Sequence, residues 1–312
     1  MRKITILAAL CSILSACSFF ATPDKPHGGG GLKPTGHSIE KYVSILVTDN
    51  RTSYSKYGLS SDFARTYDGF NLHQDTPECS VPAIQRAISR NIQFFSVKMF
   101  PTYDGITVCS RTDNVKNTCD TGGQDIFITG QLFEDLRKYT MTCGGKRVEG
   151  TVIPTITEVL SAARGKIFPI LDMTSQVNWT KVLPVIDSLV MSDEILFYFG
   201  SLDTGENPRD STAAWKQYRL VADALPAVMP LFEVSSEQSI EFLHDKDIPR
   251  VPVLLVEPSL VGAAHNYSFG VMKDLCPYDN DIISGNVSSI EAAKSNKYDF
   301  FHSGVADMEA FR

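Results

Sequence analysis

Residues 77–110 decide the fold, and they read PECSVPAIQRAISRNIQFFSVKMFPTYDGITVCS. Val81 to Arg90 carries apolar residues at three- and four-residue spacing, which predicts an amphipathic helix. Phe94 to Met99 is a short apolar run typical of a buried strand. Thr102-Tyr103-Asp104-Gly105 is a hairpin signal, and a second strand, Ile106 to Ser110, follows it. The stretch therefore predicts helix, strand, tight turn and strand, in that order.

The alternation of apolar runs with helix-period segments continues through the rest of the chain. Besides Phe94 to Met99, the predicted strands are Tyr42 to Val47, Ile167 to Asp172, Ile195 to Phe199, Val228 to Phe232, Val253 to Val256, Ile282 to Ser284 and Phe300 to His302. The other predicted helices are Ile156 to Arg164, Trp179 to Val190, Ser211 to Leu225, Glu237 to Leu243 and Ser288 to Ser295, and Ser80, Thr155 and Ser236 are plausible N-caps. Eight strands with intervening helices predict a single-domain α/β protein, a TIM-type (β/α)8 barrel.

The first 17 residues carry the pattern of an export signal. Arg2 and Lys3 precede an apolar run, Ile4 to Leu14, which is too short to span a bilayer. Leu14-Ser15-Ala16-Cys17 then resembles the lipobox of bacterial lipoproteins, in which the cysteine is cleaved from the signal peptide and acylated. The resemblance implies a signal peptide over residues 1–16 and an anchor of acyl chains, such as palmitate, on Cys17.

The resemblance to lipoproteins also suggests a location. Ser18 follows the cysteine, whereas Asp at that position favours retention at the inner membrane, so we expect delivery to the outer membrane. Residues 17–38 are rich in Pro and Gly, with four consecutive glycines from Gly28, and predict a flexible tether whose two histidines are exposed to solvent. Residues 39–312 form the predicted barrel.

The charge of the chain limits its partners. The 312 residues have a formal net charge of −7, and 43% of them are hydrophobic. Contacts with phosphate backbones need clustered Lys and Arg, so we expect no nucleic acid partner. The predicted partners are the membrane, through the acyl chains, and a small ligand.

The barrel resembles the glycerophosphodiester phosphodiesterases over about residues 67–307. In that family a Pro-Glu-Asn-Thr turn opens a helix, Thr-x-Asp-Gly follows a strand, and Ile-Pro-Thr-Leu-Glu-Glu-Val-Leu comes later. This chain has Pro77-Glu78-Cys79-Ser80, Thr102-Tyr103-Asp104-Gly105 and Ile153-Pro154-Thr155-Ile156-Thr157-Glu158-Val159-Leu160 in the same order. The resemblance implies a barrel built for cation-dependent hydrolysis of phosphodiesters in lipid metabolism.

The residues that carry the chemistry of this family differ in the chain. Family enzymes have His-Arg-Gly at the end of the first strand, and counting back from Pro77 lands on Gly69-Phe70-Asn71. If Ile45-Leu46-Val47 is aligned with the first strand instead, Thr48-Asp49-Asn50 stands there. Neither alignment restores the histidine and arginine. His73 is close enough to be a displaced catalytic histidine.

The metal ligands of the family are replaced as well. Its Glu and Asp fall on Ser96 and Lys98, and its second histidine falls on Arg111. A divalent cation needs carboxylate oxygens, and an ammonium group in place of one repels the ion. Only Asp172 can stand for a family carboxylate, so we expect no bound metal. Lys98 and Arg111 are the candidate anion-binding residues, and they predict a cationic pocket for a phosphate- or glycerophosphodiester-like ligand.

Three interpretations stay open at this point. In the preferred one, the barrel has lost metal-dependent hydrolysis and acts as a binding or structural surface lipoprotein, a pseudoenzyme. In the second, it is an active hydrolase that uses Ca²⁺ or Mg²⁺ with His73, Arg111 and Asp172 as substitutes. In the third, it is a two-lobed solute-binding lipoprotein.

Five cysteines follow Cys17, and an exported protein can form disulfides. Cys109 and Cys119 are ten positions apart and flank an excursion after a predicted strand, and Cys143 follows in the same region. We therefore predict at least one disulfide among these three residues. Cys276 is either a thiol or paired with Cys79.

Overall fold

The computed structural model describes residues 32–48, 64–68, 76–174, 177–203, 211–246, 248–250, 252–304, 306, 308 and 311. Within this part of the chain, eight parallel strands close into a barrel. They are β1 Ala64–Asp68, β2 Phe94–Val97, β7 Phe168–Asp172, β8 Leu196–Ser201, β9 Met229–Val234, β10 Val253–Val256, β11 Gly270–Asp274 and β12 Phe300–Ser303. The order around the barrel is β1-β12-β11-β10-β9-β8-β7-β2, and β2 pairs with β1 to complete the ring. The predicted barrel is therefore confirmed.

Two small hairpins complete the strands: β3 Met99–Pro101 with β4 Thr107–Cys109, and β5 Thr142–Cys143 with β6 Lys146–Arg147. The α-helices of the described residues are α1 Ile39–Thr48, α2 Val81–Ser89, α3 Phe133–Leu136, α4 Ile156–Ala163, α5 Trp179–Ser188, α6 Ala213–Ala224, α7 Glu237–Asp245, α8 Val261–Asn266, α9 Asp279–Ile283 and α10 Ser288–Ser295. The three predicted caps are present, because the side chains of Ser80, Thr155 and Ser236 each accept a bond from a backbone N–H of the first turn.

The barrel is filled according to the two-residue period of its strands. Alternate side chains point inward, so Phe94, Phe168 and Phe300 belong to one buried cluster inside the ring. The residues that alternate with the inward ones along each strand point outward. Among them, Phe95, Leu171 and Phe301 pack in the larger cluster that includes the surrounding helices. The end of the barrel where the strands begin is therefore packed with aromatic rings.

Helix α1 covers this packed end. Its residues Ile39, Val43 and Leu46 are at most 3% exposed and join the cluster inside the ring. Their spacing of four and three residues puts them on one face of a helix. The predicted strand Tyr42 to Val47 is therefore wrong, because the apolar face begins at Ile39 and follows the helical period.

A second predicted strand, Ile282 to Ser284, is also wrong. Ile282 is buried in the short helix α9, which starts at Asp279. The two barrel strands that the sequence analysis missed are β1 and β11, which read ARTYD and GVMKD. Both contain charged residues, so neither has the apolar run by which a buried strand is usually found.

The end of the predicted tether belongs to the folded body. Thr35 Oγ1 donates a hydrogen bond of 2.6 Å to Glu194, and the ring of His37 stacks on Phe168 with 3.9 Å between centroids. His37 is therefore partly covered and not a solvent-exposed tether residue as predicted. Residues 1–31, which include the predicted signal peptide and Cys17, lie outside the described residues.

The cysteines do not support the predicted disulfide. Cys109, Cys119 and Cys143 are all thiols in the structure. Neighbouring residues of β4 face opposite sides, so Cys109 packs in the large barrel cluster, whereas Val108 packs with Cys119 in a separate cluster of the insertion between β4 and α4. Burial also raises the pKa of Cys119 to about 12. The two cysteines lie on different sides of β4.

The fold bears on the two-lobed interpretation and on the presence of membrane-spanning helices. A closed barrel has one body around one ring of strands, so the two-lobed solute-binding interpretation is wrong. No helix among the described residues is both long enough and apolar enough to cross a membrane.

Candidate functional site

The candidate site lies where the strands end, at the mouth of the barrel. Continuing the inward positions of each strand by two residues leads from the aromatic interior to polar side chains. In β2 the sequence of inward positions is Phe94, Ser96 and then Lys98, and in β7 it is Phe168, Ile170 and Asp172. Strand periodicity alone thus places a lysine and a carboxylate beside each other at the mouth.

A cavity of about 270 Å³ opens at this mouth. Its floor is apolar and contains Ile170, Leu231 and Met272 from the interior cluster. The polar residues around it are Ser96, Lys98, Asp172, Thr174, Tyr198, Asp274 and His302. The cavity has the form of a small-ligand site, with an apolar base and a few convergent polar groups.

Lys98 and Asp172 form an ion pair across two adjacent strands. Lys98 Nζ lies 3.9 Å from Asp172 Oδ2, and the lysine side chain is 42% exposed while that of the aspartate is 7% exposed. Thr174 donates two hydrogen bonds to Asp172 Oδ1, one from its backbone N–H at 2.9 Å and one from its hydroxyl at 2.5 Å. Asp172 is therefore held in one orientation, and it holds the ammonium group at the mouth.

Arg111 lies beside this pair. It lines a cleft of about 390 Å³ together with Lys98 and Asp172, and its Nη1 donates a 3.2 Å hydrogen bond to Glu78. The structure thus brings together the three residues that the sequence analysis singled out. The expected cationic pocket is, however, of mixed charge, because Asp172, Asp274 and Glu78 lie among the cations.

The residues at this place do not fit the divalent cation that the family resemblance implies. By the sequence resemblance, Ser96 and Lys98 stand where the family has two carboxylate ligands. Asp172 already accepts two hydrogen bonds and faces an ammonium group. Ca²⁺ and Mg²⁺ bind through several oxygen ligands, and a nearby ammonium repels them. We therefore derive no reaction step through a cation at this position.

The position of β1 decides between the two alignments of the missing His-Arg-Gly motif. β1 ends at Asp68, directly before Gly69, so the count back from Pro77 reaches the end of the first barrel strand. The alternative based on Ile45–Val47 is wrong, because those residues are helical. Gly69, Phe70, Asn71 and the candidate His73 themselves lie outside the described residues.

Two groups at the mouth were not recognised as groups from the sequence, although Glu233 is one of the acids that follow predicted strands. The first is the pair of Tyr198 and Glu233, whose hydroxyl and carboxylate oxygens are 3.3 Å apart. Tyr198 is an inward residue of β8, and burial together with the charge of Glu233 raises the pKa of its phenol. The two-residue alternation of inward side chains along β8 and β9 was the signal that could have identified Tyr198 and Glu233.

The second missed group consists of Asp274, Cys276 and His302. Asp274 ends β11, and His302 lies opposite it on β12. Burial works to raise the pKa of Asp274, but hydrogen bonds from His302 and from the Cys276 amide outweigh it and hold this pKa below its ordinary value. The group was missed because β11 itself was not predicted.

Comparisons with known proteins agree with this geometry. No protein-family model matches the chain, and no curated protein matches it in sequence. Solved structures do match. A glycerophosphoryl diester phosphodiesterase from Parabacteroides distasonis ATCC 8503 has a TM-score of 0.67 at 15% identity, over 80% of this chain and 85% of that one. One from Agrobacterium tumefaciens str. C58 has a TM-score of 0.60 at 10% identity, over 80% and 100%.

A third match carries a ligand. The Oleispira antarctica phosphodiesterase in complex with the product sn-glycerol-3-phosphate has a TM-score of 0.55 at 15% identity, and the match covers 78% of this chain and 94% of that one. At these identities the likeness shows the fold. The body of the chain therefore has the fold of glycerophosphodiester phosphodiesterases.

Proposed function

We propose that the protein is a lipoprotein of the cell envelope whose barrel mouth binds a small phosphate-bearing ligand without cation-dependent hydrolysis. The observation that carries this proposal is the ammonium group of Lys98, 3.9 Å from Asp172 at the end of β2. That position supplies a metal-binding carboxylate in the family that the sequence resembles. A cation-binding position has become an anion-binding one.

The contacts at the mouth support binding of phosphate. Lys98 and Arg111 line one cleft, and hydrogen bonds from charged donors to phosphate oxygens are stronger than those from neutral donors. Glu78 and Asp172 orient the two cations through ion pairs. The fold match to a phosphodiesterase that holds sn-glycerol-3-phosphate names a suitable test ligand.

The same contacts argue against hydrolysis. In the family mechanism, a cation neutralises the phosphate and two histidines move protons. Arg111 stands in place of one of these histidines, and the cation ligands are replaced. General acid–base groups each contribute about 10²- to 10⁴-fold to the rate, and a metal contributes several kcal/mol more. Loss of the metal and of the acid–base histidines removes most of the catalysis.

Calorimetric titration of the purified protein with sn-glycerol-3-phosphate tests binding. We expect Arg111→Ala and Lys98→Met each to weaken binding about 10- to 100-fold, since each removes a charged hydrogen-bond donor. Lys116→Met is the matched control, because Lys116 pairs with Asp125 on the insertion and does not line the mouth. Absence of binding, or equal effects of all three variants, would contradict the proposed binding site.

Incubation with glycerophosphocholine and glycerophosphoethanolamine tests turnover. We expect no release of glycerol 3-phosphate with Ca²⁺ or Mg²⁺. A robust release that EDTA and Asp172→Ala both abolish would show an active hydrolase and overturn the proposal.

A further inference from the structure

Asp274, Cys276 and His302 come together at the mouth because β11 and β12 are neighbours. Asp274 pairs in register with His302, and the chain turns directly after β11 into a short 3₁₀ helix that begins at Cys276. One oxygen, one sulfur and one nitrogen atom of these residues all lie within 4.8 Å of one another. The three side chains thus converge on one small volume.

The two distances from His302 to the other donors are close to those between zinc ligands. His302 Nδ1 lies 3.4 Å from Asp274 Oδ1 and 3.8 Å from Cys276 Sγ. Zinc bonds are about 2.3 Å long to sulfur and about 2.0–2.2 Å long to nitrogen and oxygen. In a tetrahedral site these lengths place nitrogen and oxygen about 3.4 Å apart, and nitrogen and sulfur about 3.6 Å apart. The carboxylate oxygen and the sulfur also lie within 4.8 Å of each other, so binding of a single ion would draw the sulfur inward.

The arrangement differs from a Cys-His-Asp catalytic triad. In a triad, the nucleophile and the carboxylate contact opposite nitrogens of the imidazole ring. Here both the thiol and the carboxylate approach Nδ1. A ring nitrogen approached from two sides cannot relay a proton between them, whereas convergence of all three atoms is what coordination requires.

The donor chemistry selects the class of ion. Thiolate and imidazole suit zinc and similar transition metals, whereas Ca²⁺ and Mg²⁺ prefer a shell of oxygens. The backbone N–H of Cys276 donates a 3.0 Å hydrogen bond to Asp274 Oδ1, which orients the carboxylate. Asp274 and His302 also line the cavity, so a fourth ligand can enter from that side.

We propose that Asp274, Cys276 and His302 form a mononuclear site for a zinc-class metal ion at the barrel mouth. This proposal does not rest on the phosphate-binding function proposed above, although both concern the same cavity. It also differs from the place of the family's cation, since β11 is four strands from β7 in either direction around the ring and therefore lies opposite Asp172. Three protein ligands and an open position are typical of zinc sites that bind a further molecule.

Metal titration of the full chain under reducing conditions tests the site. We expect one Zn²⁺ per chain in equilibrium dialysis, and with Co²⁺ a thiolate charge-transfer band together with the strong visible absorption of a tetrahedral ion. Cys276→Ser and His302→Gln should each weaken binding about 100-fold or more, since even the loss of an outer-shell partner costs 10- to 100-fold. Cys143→Ser and His244→Gln are matched controls outside the group and should bind as the wild type does.

X-ray absorption of the zinc-loaded wild type gives a test that needs no variant. We expect one sulfur ligand at about 2.3 Å, with nitrogen and oxygen completing the shell. A shell without sulfur, failure to retain zinc, or binding that Cys276→Ser leaves unchanged would each overturn the proposal. Binding of sn-glycerol-3-phosphate to the metal-free protein is measured separately, so failure of one proposal is distinguishable from failure of the other.

Discussion

Lys98 lies two residues beyond Ser96 on the inward side of the chain, so its place at the mouth follows from strand periodicity. Its ammonium group is close to Asp172, and its side chain is nearly half exposed. In the function proposed above, a lysine at this position makes the mouth a site for anions instead of cations. The change needs no alteration of the backbone.

Cys79 shows a different relation between residue type and backbone. It occupies the turn position where the family resemblance has Asn, and its φ angle is +52°. Asn tolerates this left-handed conformation better than most residues do. Cys79 is completely buried in the large cluster, so side-chain packing compensates for the backbone strain.

Gly105 is a second left-handed position, with a φ angle of +80° in the turn between β3 and β4. A Cβ atom there would also clash with Nζ of Lys181, although that flexible end can move. We expect Gly105→Ala to lower the free energy of unfolding by about 1–2 kcal/mol, the cost of this conformation for an L-residue. Urea unfolding followed by circular dichroism measures it.

Gly262 provides the comparison for Gly105. It lies in α8, and no heavy atom is within 4 Å of the position that a Cβ would take. Gly262→Ala should leave stability unchanged or raise it by about 0.5–1 kcal/mol, because alanine favours a helix. Equal destabilisation by both substitutions would show that the φ angle of Gly105 is not the cause.

At the scale of elements, the predicted structure was most reliable where cap and period agree. Thr155, a predicted N-cap, forms a capping box with Glu158, and α4 begins directly after Thr155. The element β1 could not be found in this way, because Arg65 interrupts its apolar pattern. Arg65 is buried all the same, since its guanidinium donates hydrogen bonds to the carbonyl oxygens of Arg90 and Asn91 at the end of α2. This partner is distant in sequence and invisible in the local pattern.

The region before α1 is joined to the barrel through one buried carboxylate. Glu194 accepts hydrogen bonds from Thr35 Oγ1 and from the backbone N–H of Gly165, each 2.6 Å long, and lies 3.6 Å from His37 Nδ1. Burial works to raise the pKa of Glu194, but the contacts with His37, Thr35 and Gly165 hold it below the ordinary value of 4.5. The ionised form is therefore the one that stabilises this junction.

This pKa predicts how stability depends on pH. A carboxylate with a lowered folded-state pKa contributes stability that is fully present above pH 4.5 and is lost as the pH falls through the folded-state value. We expect Glu194→Gln to cost about 1–3 kcal/mol at pH 7, as for loss of buried hydrogen bonds, and the difference from wild type to shrink below pH 4.5. Urea unfolding at a series of pH values measures both.

Glu241 offers a control for this experiment. It lies exposed on α7, and we expect Glu241→Gln to change stability by less than about 0.5 kcal/mol at every pH. A difference between wild type and Glu194→Gln that stays constant from pH 7 to pH 3 would show that the charge of Glu194 does not stabilise the junction.

At the scale of the whole molecule, the order of motifs predicted the barrel, although two of its strands were misplaced. Each βα unit buries its own apolar pattern, so errors in Tyr42 to Val47 and Ile282 to Ser284 did not alter the architecture. The site was predicted in part, because Lys98, Arg111 and Asp172 follow recognisable motifs. Asp274, Cys276 and His302 come together only through the pairing of β11 with β12, which no local pattern reveals.

We propose that the whole molecule is attached to a membrane, and Cys17 is the residue that we expect to carry the acyl chains. Cys17→Ala should release the protein from the membrane fraction or leave an unprocessed precursor, because the acylated sulfur is absent. Fractionation of cells with detection of the protein measures this. Cys11→Ala, a change within the apolar run, should leave fractionation as in the wild type. Unchanged membrane attachment of Cys17→Ala would show that the chain is not anchored through this residue.

The position of helix α1 in the chain also affects when the protein can complete its folding. The helix precedes every strand in the chain, yet its apolar face packs against a cluster that includes Phe300. The first strand likewise pairs with the last, Ala64 with Phe300. At about 5–20 residues per second, roughly 10–50 s of synthesis separate these segments. During that interval the first strand lacks β12, one of its two partners, and the helix lacks its complete docking surface. Such non-local contacts fold slowly. A newly made chain therefore cannot close the ring of strands until its last strand has been made.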